Sequence, residues 1–510
     1  MKYFRENRLL FLFAAIKLFL YIVLQRDDYE LHRDEYLYLE MGKHLSWGYF
    51  EVPPLIALQG WLIELAGGSK WIVRLFPYVM GAATVFFTGK IAKELGGKIF
   101  AQSLACTSII VLPFTRVNFL FQPNTPEILI FTLIFYCFIR FIHTKNENWF
   151  IIIGVLIGLA ILNKLTALVF VIAFGAGVFM TSYRIYLMRK KFWIGMLLML
   201  ILIFPFVIWQ WQHHLPFIDH IKLLNKTQLV HISTFSLVKD QLIMMIATIT
   251  IWSLGLISLF VSKSYAPYRI IGIITLLGIL IITWQHGKYY YILGYFPVLL
   301  AFGSVWIENQ PLPSGLHWSR YIHFILPIAI TLWILPIALP VYSTTKTLQA
   351  TNRFRFLDIA KGEQNQEYPM PQDYIDMQGW QEMADKVYQV YNALSEEEKS
   401  NLSIICGNYG QASAINYYLR NKNLPDAFCI NHTFVFWIKP EQLMAKNILL
   451  VDDDPDDLAT HFASYQLKEA ITNPLSREFG TKIILAKGAD QFIHHLISKQ
   501  YLELREKYFD

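Results

Sequence analysis

Three carboxylates stand close together in one short polar stretch. Asp34 and Glu35 are adjacent within His32-Arg33-Asp34-Glu35, and Glu51 follows Trp47-Gly48-Tyr49-Phe50 just ahead of Val52-Pro53-Pro54. A carboxylate within reach of a hydroxyl or amine can take its proton as a general base. A phosphate that departs in the same step needs cations or hydrogen-bond donors. Groups of that second kind recur further along the chain: Arg116, Lys164, His286, Lys288 and Tyr289. His213 and His214 are adjacent and lack the spacing of a helical metal pair. No strong metal cluster appears, and no required metal is expected.

The elements that must position these groups are set by composition. Of 510 residues, 55% are hydrophobic and 16% charged, which is not the balance of an ordinary soluble protein. Apolar runs recur up to Val341 and then stop. The expected fold is an α-helical polytopic membrane domain over 1–342, followed by a soluble α/β domain over 343–510. With a core of about 30 Å to cross, the runs predict eleven spans: 9–25, 71–89, 99–115, 125–142, 149–162, 165–182, 192–211, 241–261, 269–284, 290–306 and 321–341. Read as one helix, 149–182 would be about 51 Å long, too long for a simple crossing, so Asn163-Lys164 is taken as a turn. That choice also puts the basic loops on the same side as the basic N-terminus, as the positive-inside rule favours. The N-terminus is then cytoplasmic and the C-terminal domain extracytoplasmic, in a cell membrane. The opening run lacks a small-residue cleavage site and is read as an uncleaved span. The net charge of +6 is a topology signal and implies no nucleic acid. This topology gathers 26–70, Arg116, Lys164 and His286-Gly287-Lys288 on the outer face.

Simpler readings stand beside the functional ones. Asp34 could be the N-cap of the following helix, with Glu35 a first-turn charge. That helix, with Leu37, Met41 and Leu45 at i, i+4 and i+8, reads as amphipathic and interfacial, and Pro53-Pro54 ends the polar excursion. Asn124-Thr125-Pro126-Glu127 reads as a helix start. Lys164 could snorkel or contact phosphate. His286 and Lys288 beside three tyrosines read as an anion site. In the tail, strands are expected near 403–407, 447–451 and 482–485, with helices near 411–420, 458–470 and 489–504. ILLVDDDP hints at a receiver domain, but no second strand carries the phospho-acceptor aspartate, and that reading is rejected. Cys406 and Cys429 leave a tail disulfide open.

DEYLYLEMGKHLSWGYFEVPPLIAL resembles the first outer loop of the bacterial members of the protein O-mannosyltransferase and aminoarabinose-transferase group, within the GT-C glycosyltransferases. NTPEILIF, GLAILNKLTA and GKYYYILGYFPVLLAFGS are similar too, as are GWQEMADKV and NYGQASAINYYL in the tail. The resemblance implies a polyprenyl-phosphate sugar as donor, transferred to a protein, lipid or glycan acceptor at the bilayer. It implies Asp34 as catalytic base with Glu35 as its partner, and Glu51 as an acid near the substrate. Where the aminoarabinose transferases have a lysine after that acid, this chain has Val52, so Arg116, Lys164 or Lys288 would supply the charge. An inverting single displacement follows. The rival readings are an oligosaccharide polymerase or ligase using the same lipid class, and a transporter or flippase of a lipid-linked sugar. A transporter would favour mid-membrane charges and internal repeats, and neither is apparent.

Overall fold

The computed structural model describes residues 2–311, 313–363, 365–452 and 458–509. Two compact units emerge. One comprises Met1–Gln25, Val73–Val207 and Leu224–Val341; the other comprises Arg26–Ile72, Ile208–Leu223 and Tyr342–Asp510.

The first unit is helical because its sequence offers apolar runs with few breakers. Among the described residues, six helices are long and apolar enough to cross a membrane: Lys70–Glu94, Asn124–Thr144, Lys190–Gln212, Ala266–Trp284, Tyr289–Asn309 and Gly315–Ala338. Two bent pairs, Ala167–Met180 with Ser182–Met188 and Thr234–Met244 with Ile246–Val261, raise the number to eight if each is one span. The remaining apolar runs form shorter helices: Arg8–Leu24, Ile99–Ile110 and Asn148–Asn163. Asn124–Thr144 and Tyr289–Asn309 are mostly buried, whereas Lys190–Gln212 and Gly315–Ala338 expose most of their apolar surface. In a polytopic membrane protein such a surface is solvated by lipid. The chain does break at Lys164: Asn148–Asn163 stops there, with Lys164 extended, and Ala167–Met180 begins anew.

The second unit is built around a four-stranded sheet, β1 (Leu402–Cys406), β2 (Asn447–Asp452), β3 (Phe462–Ala470) and β4 (Lys482–Ala489), in the order β1-β2-β4-β3. β1 and β2 are parallel, as a strand–helix–strand crossover requires, and the other pairings are antiparallel. The helix expected near 458–470 is instead edge strand β3. Leu458, Phe462 and Tyr465 imitate a helical stripe, but pairing with β4 satisfies the backbone and leaves the outer face half exposed. Cys406 and Cys429 are buried free thiols, so the tail disulfide does not form. Part of the rejected receiver motif, 453–455, lies outside the described residues.

Two helices of the polar stretch belong to this unit. Arg33–Lys43 is not the expected interfacial amphipathic helix, because every residue from Glu35 to Gly42 is buried. Its polar groups are taken up inside the unit: Tyr36 Oη lies 3.0 Å from Tyr418 Oη, and Glu40 accepts from Asn416 at 3.2 Å and Lys43 at 2.8 Å. Leu45 lies beyond the helix and is exposed. The helix stops at Lys43, and Pro54 stands at the N-cap position of a second one, Leu55–Leu65. The two cross at Gly42 and Gly60, where a Cβ on Gly42 would fall 2.6 Å from the Gly60 carbonyl carbon. Only glycine allows backbones this close. Ahead of the pair, Glu30 caps the Trp380–Asn392 helix by accepting the N–H groups of Gly379, Trp380 and Gln381 at 3.3, 2.8 and 3.0 Å.

Candidate active site

The carboxylate pair is placed by a helix start. His32 is the N-cap: its Nδ1 accepts the Asp34 N–H at 3.1 Å, while the Glu35 carboxylate accepts the His32 N–H at 2.7 Å. This reciprocal capping box corrects the N-cap reading of Asp34. Glu35 is fully buried and holds the helix start together. Asp34, one residue earlier, is 29% exposed at its side chain and presents its carboxylate outward from the first turn. Glu35 thus has a clear structural task, while Asp34 has the access that a base needs.

Asp34 Oδ1 accepts the Tyr409 hydroxyl at 2.8 Å. Arg33 Nε lies 3.7 Å from the same oxygen, and His32 Nδ1 lies 4.0 Å from Oδ2. Burial, reinforced by the negative charge of Asp34, pushes the Tyr409 phenol well above the ordinary tyrosine value, against the pull of Arg33. The hydroxyl therefore stays protonated and remains a donor. Burial disfavours the Arg33 charge, but the carboxylates Asp34, Asp376 and Glu478 oppose that and favour the protonated guanidinium.

Glu51 is held by a turn of the tail. Its Oε1 accepts the Thr433 N–H at 3.0 Å. His432 Nδ1 comes within 3.1 Å of the same oxygen but lies off the hydrogen-bond direction. Oε2 of Glu51, with its side chain only 9% exposed, is buried without a hydrogen-bond partner, as is the Thr433 hydroxyl. Phe50 packs against the rings of His220, His432 and Tyr508.

The remaining predicted residues lie in the other unit. Lys164 Nζ donates to Asn124 Oδ1 at 2.7 Å, sits 3.5 Å from Glu127 Oε2 and lies 3.9 Å from the ring centroid of Tyr291. Thr166 donates to the other oxygen of Glu127, which is buried. Lys164 is thus neither purely snorkelling nor unpaired, and Glu127 is more than a first-turn charge. Arg116 donates to the Ala338 carbonyl at 2.8 Å. His286 adopts a positive φ of 53° and places Nδ1 3.0 Å from the Ile232 carbonyl. Lys288 directly precedes the 3-10 turn Tyr289–Tyr295, and Tyr289 is exposed, its ring edge against Tyr290. Asp34, Glu35 and Glu51 are therefore gathered in one unit, and Arg116, Lys164, His286, Lys288 and Tyr289 in the other. Among the described residues, no group of three or more His, Cys, Asp or Glu side chains is placed to hold a metal ion.

Sequence reasoning grouped Arg33 with the carboxylates but missed Tyr409 and His432 as their neighbours. A local signal for Tyr409 exists: Asn408 and Gln411 form a capping box that makes Tyr409 the first residue of the Tyr409–Tyr418 helix.

Residues 51–209 match the family described as dolichyl-phosphate-mannose-protein mannosyltransferase. Among solved structures, ArnT from Cupriavidus metallidurans bound to undecaprenyl phosphate is similar at a TM-score of 0.61 and 15% identity, over 93% of this chain and 97% of that one. Its apo state matches equally well. An oligosaccharyltransferase from Archaeoglobus fulgidus, in complex with Zn and sulfate, gives a TM-score of 0.49 at 12% identity over 87% of this chain and 68% of that one. No curated protein sequence matches the chain. The fold is that of the GT-C membrane enzymes. The chain shares the fold of ArnT, and its residues 51–209 carry the pattern of the mannosyltransferase family.

Proposed function

We propose that this enzyme moves a sugar from a polyprenyl phosphate to an acceptor at the outer face of the cell membrane, with Asp34 as the base. The observation that carries the reading is the placement of Asp34: partly exposed on a capped first turn, with a part-buried phenol and a guanidinium beside it. The similar ArnT structure was obtained with undecaprenyl phosphate, which supports the lipid class of the donor. In the reaction, Asp34 takes the acceptor proton, the acceptor atom bonds to the anomeric carbon, and the bond from that carbon to the phosphate oxygen breaks. The electron pair leaves with the polyprenyl phosphate, and the anomeric centre inverts. Arg116, Lys164, His286, Lys288 and Tyr289 are the groups proposed to supply charge and donors to substrate phosphate, and Glu51 to contact the substrate.

Purified enzyme incubated with a panel of undecaprenyl-phosphate sugars and crude envelope acceptors is expected to transfer at least one of them; no transfer from any donor would overturn the reading. No metal enters the mechanism, so transfer is expected to continue in excess chelator, and a loss reversed by added Mg²⁺ or Zn²⁺ would refute that point. The N-terminus is placed in the cytoplasm and 343–510 outside. External protease should then digest the C-terminal segment in spheroplasts, and protection of that segment would reverse the orientation.

A further inference from the structure

Asp34 is held by more than its own loop. Asn408 Oδ1 accepts the N–H groups of Gly410 and Gln411 at 2.9 and 3.1 Å, which fixes where the Tyr409–Tyr418 helix begins. The ring of Tyr409, its first residue, is confined on two sides. The Arg33 guanidinium lies 4.9 Å from its centroid, and the His432 ring meets it edge-on at 5.0 Å. The next residue is pressed against the same arginine, since a Cβ on Gly410 would come within 2.5 Å of Arg33 Cγ. The phenol therefore has one place to point, and there it donates to Asp34 Oδ1. A donor on one carboxylate oxygen fixes the plane of the carboxyl group and favours its ionised form.

We propose that Tyr409 is a positioning residue for Asp34, holding the base ionised and correctly turned, so that the C-terminal segment is a working part of the transfer site. This rests on the reading of Asp34 as the base. The other charged and titratable groups around Asp34 are Arg33 and His32 on its own segment. Asp373 and Asp376 stand 3.9 and 3.6 Å from His32 Nε2. Arg477 is 3.1 Å from Asp376, Glu478 accepts from Gln411 at 2.6 Å, and His432 lies beyond the Tyr409 ring. Tyr409→Phe keeps the ring, hence the Arg33 and His432 contacts, and removes only the hydroxyl.

The test uses the full chain in lipid nanodiscs with the undecaprenyl-phosphate sugar that the wild type transfers. Two quantities are followed against pH: kcat and KM, and the Asp34 carboxyl band by infrared spectroscopy on ¹³C-aspartate protein, assigned by its loss in Asp34→Asn. With Tyr409→Phe, the Asp34 midpoint and the acid limb of kcat should both rise by about one pH unit. On the plateau above that limb kcat should fall about tenfold, because the carboxylate is no longer held in the productive orientation, while donor KM stays within about twofold. On an Asp34→Asn background, Tyr409→Phe should leave the residual rate unchanged, because no carboxylate remains to be positioned. A merely structural role would lower both backgrounds alike and would refute the proposal, as would an unmoved acid limb in an enzyme that depends on Asp34. If no polyprenyl-phosphate sugar is transferred at all, the functional reading fails and takes this inference with it.

Discussion

Asp34→Asn should lower kcat by about 10²- to 10⁴-fold, the range expected for loss of a general base, with donor KM and thermal stability nearly unchanged. The structure makes this a clean substitution. Asparagine keeps a carbonyl oxygen where Oδ1 accepts the Tyr409 hydroxyl at 2.8 Å, and the helix start does not depend on the Asp34 side chain. That start is held by His32 Nδ1 and the Glu35 carboxylate. What asparagine lacks is a site that can accept the proton at neutral pH. Steady-state transfer assays on the two proteins check it, and an Asp34→Asn enzyme retaining more than about a tenth of the wild-type rate would remove Asp34 from the base role. The matching change at Glu35 tells the residues apart. Glu35→Gln should reduce yield and melting temperature, because the buried carboxylate closes the capping box.

The largest stability effect is expected at Lys164. Its ammonium is the cation facing the buried Glu127, whose side chain is 4% exposed, and the lysine itself is only 16% exposed. Removing one partner of a buried pair leaves an uncompensated charge and costs about 3–5 kcal/mol. Lys164→Ala should therefore melt well below the wild type in detergent. The double variant Lys164→Ala, Glu127→Gln should recover a good part of the loss, because no charge is then stranded. A single variant as stable as the wild type would show that Glu127 is already protonated or solvated. The pairing also bears on the proposed phosphate role: a lysine engaged by a carboxylate, an asparagine and two tyrosine faces offers an anion less charge than an unpaired one.

What could be read from the chain alone followed from the physics of each segment. Apolar runs announce themselves, so helices lie in each expected stretch, although among the described residues only six, or eight with the bent pairs, are long and apolar enough to cross a membrane. The turn at Lys164 followed from the side on which it puts the basic loops. β1, β2 and β4 were legible as apolar runs of strand length in a polar setting. β3 was not, because an edge strand exposes half its residues and its pattern is weak. The Arg33–Lys43 helix was seen but assigned to the wrong environment. Its tyrosines and Glu40 look like a wet face, and only the tail supplies Tyr418 and Asn416 to bury them. The alternative reading of Asp34 as the cap rested on aspartate being the commoner N-cap, whereas here the His32 imidazole accepts the hydrogen bond. The capping box at Asn408 and Gln411 marks Tyr409 as a helix start, but no local pattern reports that it or His432 meets a carboxylate hundreds of positions away.

That separation has a consequence during synthesis. Asp34 and Tyr409 are 375 residues apart, which a ribosome covers in about 20–75 s at 5–20 residues per second. For most of that interval the first polar loop has been made, but Trp380, Tyr418, Trp437 and Tyr508, whose rings pack on it, have not. The nascent loop must wait with Tyr36, Tyr49 and Phe50 uncovered while the rest of the chain is threaded into the bilayer. Slow translation or a stalled late span would thus endanger the earliest-made part of the enzyme first.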